Sequence, residues 1–313
     1  MKRKQTKIRT CTELLDTFYA NLRTTRVEKL AFSGVGHRDV YNITAPFRYN
    51  GEEVLMGRVE ERDSEFSQVF FFTCETEVWS PRAHTHTYNL QDPFYSIING
   101  ELIVGGVEVI TDPDYPEKII SWATQFYRGF DIDSLCHFSS GPGTMKDIRL
   151  VELKDGRVGV FTRPQGIRGG RGKIGFTIIS SLDELNEQTF NNAEVFQEQF
   201  IPSEWGGANE AHLLRNGHVG VLGHIACFDK LNNKHYYSIV FSLNPETNET
   251  TPLKIIAARS DFPIGPGKRP DLKDVIFSGG LIRFDDGRAI LSVGVSDAEA
   301  YHIEIPDPFI EYE

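Results

Sequence analysis

Residues 216–226 read NGHVGVLGHIA, a turn dipeptide followed by a run of strand-forming residues. Asn-Gly or Asp-Gly between such runs is the strongest short-range signal for a β-hairpin, because both central positions of its turn need positive φ. The arrangement occurs five times, at Asn50-Gly51, Asn99-Gly100, Asp155-Gly156, Asn216-Gly217 and Asp286-Gly287. The sequence therefore predicts five hairpins built on one pattern.

Two strand patterns follow each turn. The first reads, in chain order, EEVLMGRVE, ELIVGGVEV, RVGVFTRP, HVGVLGHIA and RAILSVGVS, and the second reads QVFFFTCE, KIISWATQF, KIGFTIISS, HYYSIVFSL and AYHIEIP. Successive turn glycines are 49, 56, 61 and 70 residues apart, which is enough each time for one four-stranded antiparallel sheet. Five such sheets, without helices long enough for parallel crossovers, predict an all-β fold, a five-bladed β-propeller. A two-sheet sandwich is the main alternative, but it gives no reason for a fivefold hairpin.

The propeller prediction assigns residues 41–313 to one domain and leaves residues 1–40 as an N-terminal tail and helix. Apolar residues recur at helical spacing between Glu13 and Thr24, which predicts one amphipathic helix. We expect this helix to pack on the propeller or on a second subunit. The second arrangement would make the protein a homodimer. The apolar residues are Leu14, Leu15, Phe18, Tyr19 and Leu22.

Composition excludes several classes of protein. Because 33 Lys and Arg stand against 44 Asp and Glu, the net charge is −11, and such a surface repels the phosphates of nucleic acids. No apolar run approaches the ~20 residues of a membrane span, and the basic start is not followed by the apolar core of a signal peptide. We expect a cytoplasmic protein with neither a nucleic-acid nor a membrane partner.

Residues can be compared between blades by counting from the turn glycine. Equivalent positions of radially arranged blades converge on one axial funnel. Seven residues past this glycine lie Arg58, Val107, Arg163, His224 and Gly294. Roughly eight to ten residues before it lie Asn42, Asp92, Lys146 with Asp147, Asn209 and Phe277-Ser278, and Glu210 is one position closer. With a rise of about 3.3 Å per residue, both sets fall at the strand ends opposite the turn. We expect them to face each other across one mouth of the funnel.

The converging residue types are those that handle a sugar and an anion: two arginines, a lysine, a histidine and the carboxylates of Glu60, Asp92, Asp147, Glu210 and Asp297. A carboxyl group can be the general acid at a glycosidic oxygen, and clustered cations can hold phosphate as the nucleophile. Composition alone leaves hydrolysis, phosphorolysis and simple sugar binding open.

Two further motifs need an interpretation. Gly166–Lys173 lacks the spacing of a phosphate-binding loop and is predicted to be a flexible connection, from which Arg168 or Arg171 can reach a phosphate or nucleotide at the funnel mouth. His84-Thr-His86 has no third ligand in its motif. We therefore predict no metal and no cofactor.

At these residues the chain resembles glycoside hydrolase family 130, the β-mannoside phosphorylases and hydrolases built on a five-bladed propeller. The likeness begins near Tyr41, and Ile43, Phe94 and Glu204 depart from the family's motifs. In length and in these variants the chain is more similar to the domain of unknown function 1861, which includes β-1,2-mannan mannosyltransferase/phosphorylases of glycosyltransferase family 108. The matching segments are Asn42, Arg58-Val59-Glu60, Gln91-Asp92-Pro93, Lys146-Asp147, Thr162-Arg163-Pro164, Gly223-His224, Val275-Ile276-Phe277 and Ser296-Asp297.

The resemblance implies inverting phosphorolysis of a β-linked mannooligosaccharide, with β-1,2 linkages, by inorganic phosphate to mannose 1-phosphate. It also implies the reverse synthesis and, in some members, transfer from GDP-mannose. Asp92 is then the general acid, and Arg163, His224 and Lys146, joined by Arg168, bind phosphate. The residues expected to bind the sugar are Asn42, Arg58, Asp147, Glu210 and Asp297. The alternatives are a hydrolase that uses water, with Glu210 as its base, and a non-catalytic sugar-binding propeller.

Overall fold

The structure is a computed structural model that describes residues 7–21, 25–115 and 118–313. It is mostly β, which confirms the predicted all-β class. The chain starts with α1 (Cys11–Ala20), β1 (Arg26–Lys29) and β2 (Ala31–Phe32). Five units of consecutive antiparallel strands follow in chain order, and parallel pairing of His235 and Tyr236 with Asp274 and Val275 joins the fourth and fifth units into one continuous sheet.

The strands of the five units are as follows. Unit 1 has β3 (Asp39–Tyr41), β4 (Phe47–Tyr49), β5 (Glu52–Glu60), β6 (Ser67–Glu75) and β7 (Val78–Pro81). Unit 2 has β8 (Gln91–Ile98), β9 (Glu101–Thr111), β10 (Ile119–Gly129) and β11 (Cys136–Ser140). Unit 3 has β12 (Arg149–Glu152), β13 (Val158–Thr162), β14 (Gly175–Ile179) and β15 (Glu194–Val195). Unit 4 has β16 (Trp205–Leu213), β17 (Val219–Phe228), β18 (Lys234–Leu243) and β19 (Lys254–Ala257), and unit 5 has β20 (Asp274–Arg283), β21 (Arg288–Val295) and β22 (Glu299–Pro306).

The N-terminal segment completes two of these units. Strand β1 pairs antiparallel with β22 of unit 5, and β2 pairs in parallel with β7 of unit 1. Strands therefore form before residue 41 as well as after it. Short helices lie in the connections, at α2 (Gly166–Gly169), α3 (Glu187–Asn192), Ile132–Ser134, Leu182–Glu184, Arg259–Asp261, Pro270–Leu272 and Ile310–Tyr312.

All five predicted hairpins form, but their turns are of two kinds. Asn50 and Asn99 have φ of 47° and 50° and are followed by glycines of positive φ, as the prediction requires. In the other three turns only the glycine has positive φ, so the expectation for both positions is wrong there. The reason is an Asx arrangement: the Oδ1 of Asp155, for example, accepts a hydrogen bond from the N–H of Arg157 at 3.1 Å. A type I turn that ends in a left-handed glycine results.

Neighbouring units are in contact, and units 4 and 5 also share the parallel β18–β20 pair. Strand β5 contacts β8, β8 contacts β12, β12 contacts β16 and β16 contacts β20, while β22 contacts β3 and so brings unit 5 against unit 1. A hydrophobic cluster lies at each of these boundaries; Phe161 of unit 3 and Val221 of unit 4, for example, belong to one cluster, and Ala300 of unit 5 packs with Phe72 of unit 1. The core is therefore divided among the boundaries between units.

Helix α1 begins at Cys11, two residues before the predicted start. Its N-cap explains the difference, because Thr10 Oγ1 accepts from the Glu13 N–H at 3.2 Å while Glu13 Oε2 accepts from the Thr10 N–H at 3.0 Å. Leu14 and Phe18 are buried in the cluster between units 3 and 4. Leu22 and Thr24 of the predicted helix lie outside the described residues. Within the described ranges, every helix is too short or too polar to cross a membrane.

Candidate active site

Counting from the turn glycine predicts that the two sets of polar residues lie on paired strands, and the strand registers confirm this. Arg58 pairs with Tyr41, His224 with Gly207, and Gly294 with Phe277. The residue just after the paired position is Asn42 in unit 1, and in unit 2 Asp92 follows the Gln91–Val107 pair. The strand ends opposite the five turns therefore carry the polar side chains.

The backbone bends at these polar positions. Asn42, Asp92 and Asp147 have φ of 47°, 49° and 60°, a left-handed conformation that Asn and Asp tolerate better than most residues. In units 4 and 5 the ladder slips at the corresponding places, Asn209 and Gly279. A bulge re-aims the side chain it carries, and strained residues of this kind cluster at functional sites.

Six of the ten predicted site residues line one polar cavity of about 180 Å³. This volume is below the roughly 300–1,000 Å³ of ordinary ligand pockets and suits a small polar ligand. The wall carries both cations and carboxylates. The six residues are Asn42, Arg58, Asp92, Lys146, His224 and Asp297.

Among the described residues, the hydrogen-bond donors to Asp92 all meet the same oxygen. Its Oδ1 accepts hydrogen bonds from Asn42 Nδ2 at 2.7 Å and from Arg58 Nη1 at 3.1 Å. Burial raises the pKa of Asp92, but the cations of Arg58 and Lys146 and the Asn42 hydrogen bond outweigh it and hold the pKa below its usual value. The free protein therefore carries Asp92 as a carboxylate.

Arg58 is fixed on both sides. Its Nε and Nη2 donate to Glu60 Oε2 at 2.8 and 2.6 Å, and its guanidinium lies 4.9 Å from the centre of the Tyr41 ring. Burial lowers the pKa of Arg58, but Tyr41 and the neighbouring carboxylates more than offset this and raise it. Arg58 is thus a permanent cation that faces Asp92.

Asp297 lies on the same cavity wall, and its pKa is shifted in the opposite direction from that of Asp92. It has φ of 50° at the turn between β21 and β22. Burial raises its pKa above the usual value; Arg58 opposes this shift, and the charge of Asp92 adds to it. Two carboxyl groups in one cavity are therefore pushed toward different protonation states, which is typical of acid–base sites.

The third unit supplies a second charge cluster behind the wall. Asp147 and Arg163 are both buried, and Arg163 Nη1 lies 3.3 Å from Asp147 Oδ2. Burial raises the pKa of Asp147, yet Arg163 and Lys146 lower it to about 2. This carboxylate also stabilises the charged form of Lys146, which faces the cavity. Burial lowers the pKa of Lys146, but Asp147 and Asp92 raise it above the ordinary value.

His224 is a neutral imidazole. Its Nδ1 donates to Asn209 Oδ1 at 2.8 Å, and its ring stacks on Tyr236 with centroids 5.4 Å apart. Burial lowers the pKa of His224 to about 3, although Asp147 partly opposes the shift. Nε2 is therefore an acceptor, suited to a protonated phosphate or sugar hydroxyl rather than to a bare anion.

Three residues that the sequence predicted near the site lie elsewhere. Arg168 is exposed and donates to the Ala193 carbonyl at 3.0 Å, because the short helix α2 turns it toward the outer edge of unit 3. Arg171 lies over Phe228, 5.5 Å from its ring centre. Glu210 accepts from the Leu281 N–H at 2.7 Å, in the boundary between units 4 and 5. Arg168 and Glu210 are not among the described residues that line the cavity.

Sequence reasoning missed several residues of the cavity wall. They come from connections between strands or from the third strand of a unit, and counting from the turn glycine does not reach these segments. Lys234 and Arg269 add two cations, and Asp271 lies 3.8 Å from the first and 3.2 Å from the second. The missed residues are Glu65, Lys234, Tyr236, Arg269 and Leu272.

A larger groove, of about 600 Å³, lies between α1 and the C-terminal segment. Its wall includes Leu14, Phe18, Leu253 and Ile256, and within the described ranges it contains none of the ten predicted site residues. The described residues also hold no group of three His, Cys, Asp or Glu placed to bind a metal. The convergent chemistry of the chain therefore lies in the smaller cavity.

Residues 16–311 match the family model described as "Protein of unknown function (DUF1861)". The chain belongs to the DUF1861 family. It is similar to a mannose phosphorylase from Leishmania mexicana in complex with phosphate ion, with 37% identity over 95% of this chain and 93% of that one and a TM-score of 0.88. It is also similar to a GDP-Man-dependent mannosyltransferase from the same organism, with 34% identity over 96% and 95% of the two chains and a TM-score of 0.87. No curated protein sequence matches this DUF1861 chain.

A more distant likeness concerns the fold alone. A β-1,2-mannobiose phosphorylase from Listeria innocua superposes on this DUF1861 chain with a TM-score of 0.61 at 14% identity, over 94% of this chain and 95% of that one. The arrangement of sheet units is therefore shared beyond the DUF1861 family.

Proposed function

We propose that residues 41–313 form a closed five-bladed β-propeller with the preceding segment packed on it, and that the polar cavity is an active site for mannosyl transfer. Contacts between successive units, and between unit 5 and unit 1, support the closed ring. The cavity wall receives residues from all five units, as an axial site requires: Asn42, Asp92, Lys146, His224 and Asp297.

The reaction is phosphorolysis of a β-mannoside, with β-1,2 linkages, to mannose 1-phosphate, and its reversal. One observation carries this proposal: a carboxylate with a single free oxygen, Asp92, shares a small cavity with Lys146 and His224. Such a cavity offers a proton carrier for the glycosidic oxygen, the Lys146 cation for the charge of phosphate and a neutral imidazole that accepts from a phosphate or sugar hydroxyl. Similarity to the mannose phosphorylase supports mannose as the sugar.

In phosphorolysis a phosphate oxygen attacks the anomeric carbon and the bond to the glycosidic oxygen breaks with inversion. The leaving oxygen takes a proton from Asp92, directly or through a sugar hydroxyl, which leaves the carboxylate. Lys146 and His224 hold the phosphate, while Arg163 keeps Asp147 and thereby Lys146 in place. Asn42, Arg58 and Asp297 contact the mannosyl ring.

The carboxylate form of Asp92 is the base that the synthetic direction needs. There it takes the proton of the acceptor hydroxyl as that oxygen attacks mannose 1-phosphate. For phosphorolysis Asp92 must first gain a proton, and a sugar that excludes water from the cavity raises the pKa of the carboxyl group. The free protein is therefore closer to the synthetic state.

Transfer from GDP-mannose is the second candidate. Lys234 and Arg269 line the same cavity as Lys146 and add two cations that could bind a diphosphate leaving group. Similarity to the GDP-Man-dependent mannosyltransferase supports it. Hydrolysis gains no such support, because its candidate base, Glu210, is bonded to Leu281 and His212 instead of lining the cavity.

The test is an incubation of the protein with β-1,2-mannobiose, with and without inorganic phosphate. We expect mannose 1-phosphate only when phosphate is present. Release of free mannose at the same rate in both reactions would establish a hydrolase instead. A parallel incubation of GDP-mannose with mannobiose separates the transferase from the phosphorylase, since it yields GDP and mannotriose.

A further inference from the structure

One buried lysine near the site has no part in the reaction just described. Lys268 lies in residues 262–273, here called the strap, which form the later part of the connection from β19 to β20 and contribute Arg269 and Leu272 to the cavity wall. Its side chain is 5% exposed, which is rare for a lysine and requires a charged partner. The question is what this cation does.

The Lys268 ammonium is placed between two carboxylates of unit 1. Nζ contacts Glu60 Oε1 and lies 3.2 Å from Glu65 Oε1. Glu60 is itself 1% exposed, and its other oxygen accepts from Arg58. One carboxylate therefore bridges Lys268 and Arg58.

The chain of contacts continues to the reacting group. Arg58 uses Nε and Nη2 on Glu60, and this leaves Nη1 to donate to Asp92 Oδ1 at 3.1 Å. A planar guanidinium held at two nitrogens has little freedom at the third. The position of Glu60 thus fixes the direction from which Arg58 approaches Asp92.

The strap is attached so that the ammonium stays in place. The N–H of Lys268 donates to the Ser296 carbonyl at 2.9 Å, and Arg259 Nε donates to Ser296 Oγ at 3.1 Å. The strap backbone therefore binds the turn that carries Asp297.

We propose that Lys268 is a positioning residue: through Glu60 and Arg58 it holds the carboxylate of Asp92 in its reactive orientation. The catalytic consequence of this role rests on the proposed function, whereas the effect of Lys268 on Asp92 does not. Removal of the ammonium leaves Glu60 Oε1 without its cation and Arg58 as the remaining cation bonded to this buried carboxylate, so that Arg58 is drawn toward Glu60 and away from Asp92. Asp92 then loses a charge-assisted hydrogen bond.

The experiment is a titration of Asp92 by carbon NMR of protein labelled at the aspartate carboxyl groups, with Asp92→Asn to assign the signal. We expect Lys268→Met to raise the pKa of Asp92 by about one unit, the usual scale for the loss of a neighbouring charge. Lys268→Arg keeps the cation and should shift it less. Lys273→Met is the matched control, since Lys273 is exposed in the same strap and should leave the titration unchanged.

Other groups near Asp92 must be included in the assignment of that titration. They are Tyr41, Arg58, Lys146, Asp147, Arg149 and Asp297, with Glu65, His224, Lys234 and Arg269 farther around the cavity. Lys268 also lowers the pKa of Asp297, where burial is the dominant influence, so the Asp297 signal should move upward as well. A shift at Asp297 with none at Asp92 would overturn the proposal.

A double substitution keeps the proposal testable if Lys268→Met does not fold. Glu60→Gln removes the bridging charge, and in that background Lys268→Met should add less than a twofold change to the proton affinity of Asp92. An undiminished effect would show that Lys268 acts without Glu60, against the proposal. In turnover we expect Lys268→Met to lower kcat about tenfold with KM for phosphate within about twofold. Absence of turnover in the unmodified protein would refute the proposed function, while the titration would still decide the role of Lys268.

Discussion

Asp92 and Asp147 occupy corresponding places in neighbouring units, yet their surroundings differ. Both are buried at left-handed φ, and both have a pKa below the ordinary value. Asp92 faces the cavity and is held by one oxygen, whereas Asp147 lies behind the wall against Arg163. The left-handed backbone decides where each carboxylate is placed, and its neighbours decide whether it meets a ligand or a cation.

The sharpest test of this difference is Asp92→Asn. The amide keeps an acceptor oxygen for Asn42 and Arg58 but cannot carry the proton, so we expect kcat to fall about 10²–10⁴-fold with the fold intact. Turnover with mannobiose and phosphate measures the first effect, and thermal unfolding monitors the second. Activity near that of the unmodified protein would remove Asp92 from the chemistry.

Asp147→Asn should instead affect stability and phosphate binding. The folded-state pKa of Asp147, about 2, lies below the unfolded value of about 3.9, so its charge stabilises the fold above about pH 3.9 and this stabilisation is lost as pH falls toward 2. At neutral pH we expect a loss of about 2–3 kcal/mol in the free energy of unfolding.

Denaturant unfolding at neutral pH measures that loss. Asp16→Asn, at an exposed position of α1, is the matched control and should leave stability unchanged. Because Lys146 and Arg163 lose their shared carboxylate, KM for phosphate should rise more than kcat falls. Equal stability of the two variants would mean that the Asp147–Arg163 pair contributes nothing.

The proton carried by Asp92 should give the two directions of the reaction opposite pH dependences. Phosphorolysis needs protonated Asp92, so its kcat/KM should decrease by up to about tenfold per pH unit as pH rises above the pKa of Asp92. Synthesis from mannose 1-phosphate needs the carboxylate, so its rate should hold at neutral pH and fall only as acid protonates Asp92. Steady-state rates in both directions, with the ionisation of the phosphate substrates divided out, measure this. Slopes of the same sign would contradict a single proton carrier.

These two aspartates also show how far sequence reasoning extends. The five hairpins and the offsets of Asn42 and Asp92 could be predicted, because turn residues and strand alternation are local signals. The wall residues Glu65 and Arg269 could not, because they come from connections whose course depends on packing across unit boundaries. Glu210 follows the bulge residue Asn209 by one position, and a shift of one residue along a strand reverses the face.

Arg168→Ala has the smallest expected effect and tests whether Arg163, acting through Asp147, is the one of these two unit 3 arginines that supports phosphate binding. Arg163 is buried, donates from Nε to the Gly206 carbonyl at 3.0 Å and pairs with Asp147, so Arg163→Ala should weaken phosphate use severalfold or more. Arg168 is exposed, and its hydrogen bond to the Ala193 carbonyl lies in water, where such a contact contributes about 1 kcal/mol or less to stability. We expect KM for phosphate and kcat of Arg168→Ala to stay within about twofold of the unmodified protein. Initial rates over a range of phosphate concentrations decide it, because a tenfold rise in KM would require α2 to turn Arg168 inward when phosphate binds.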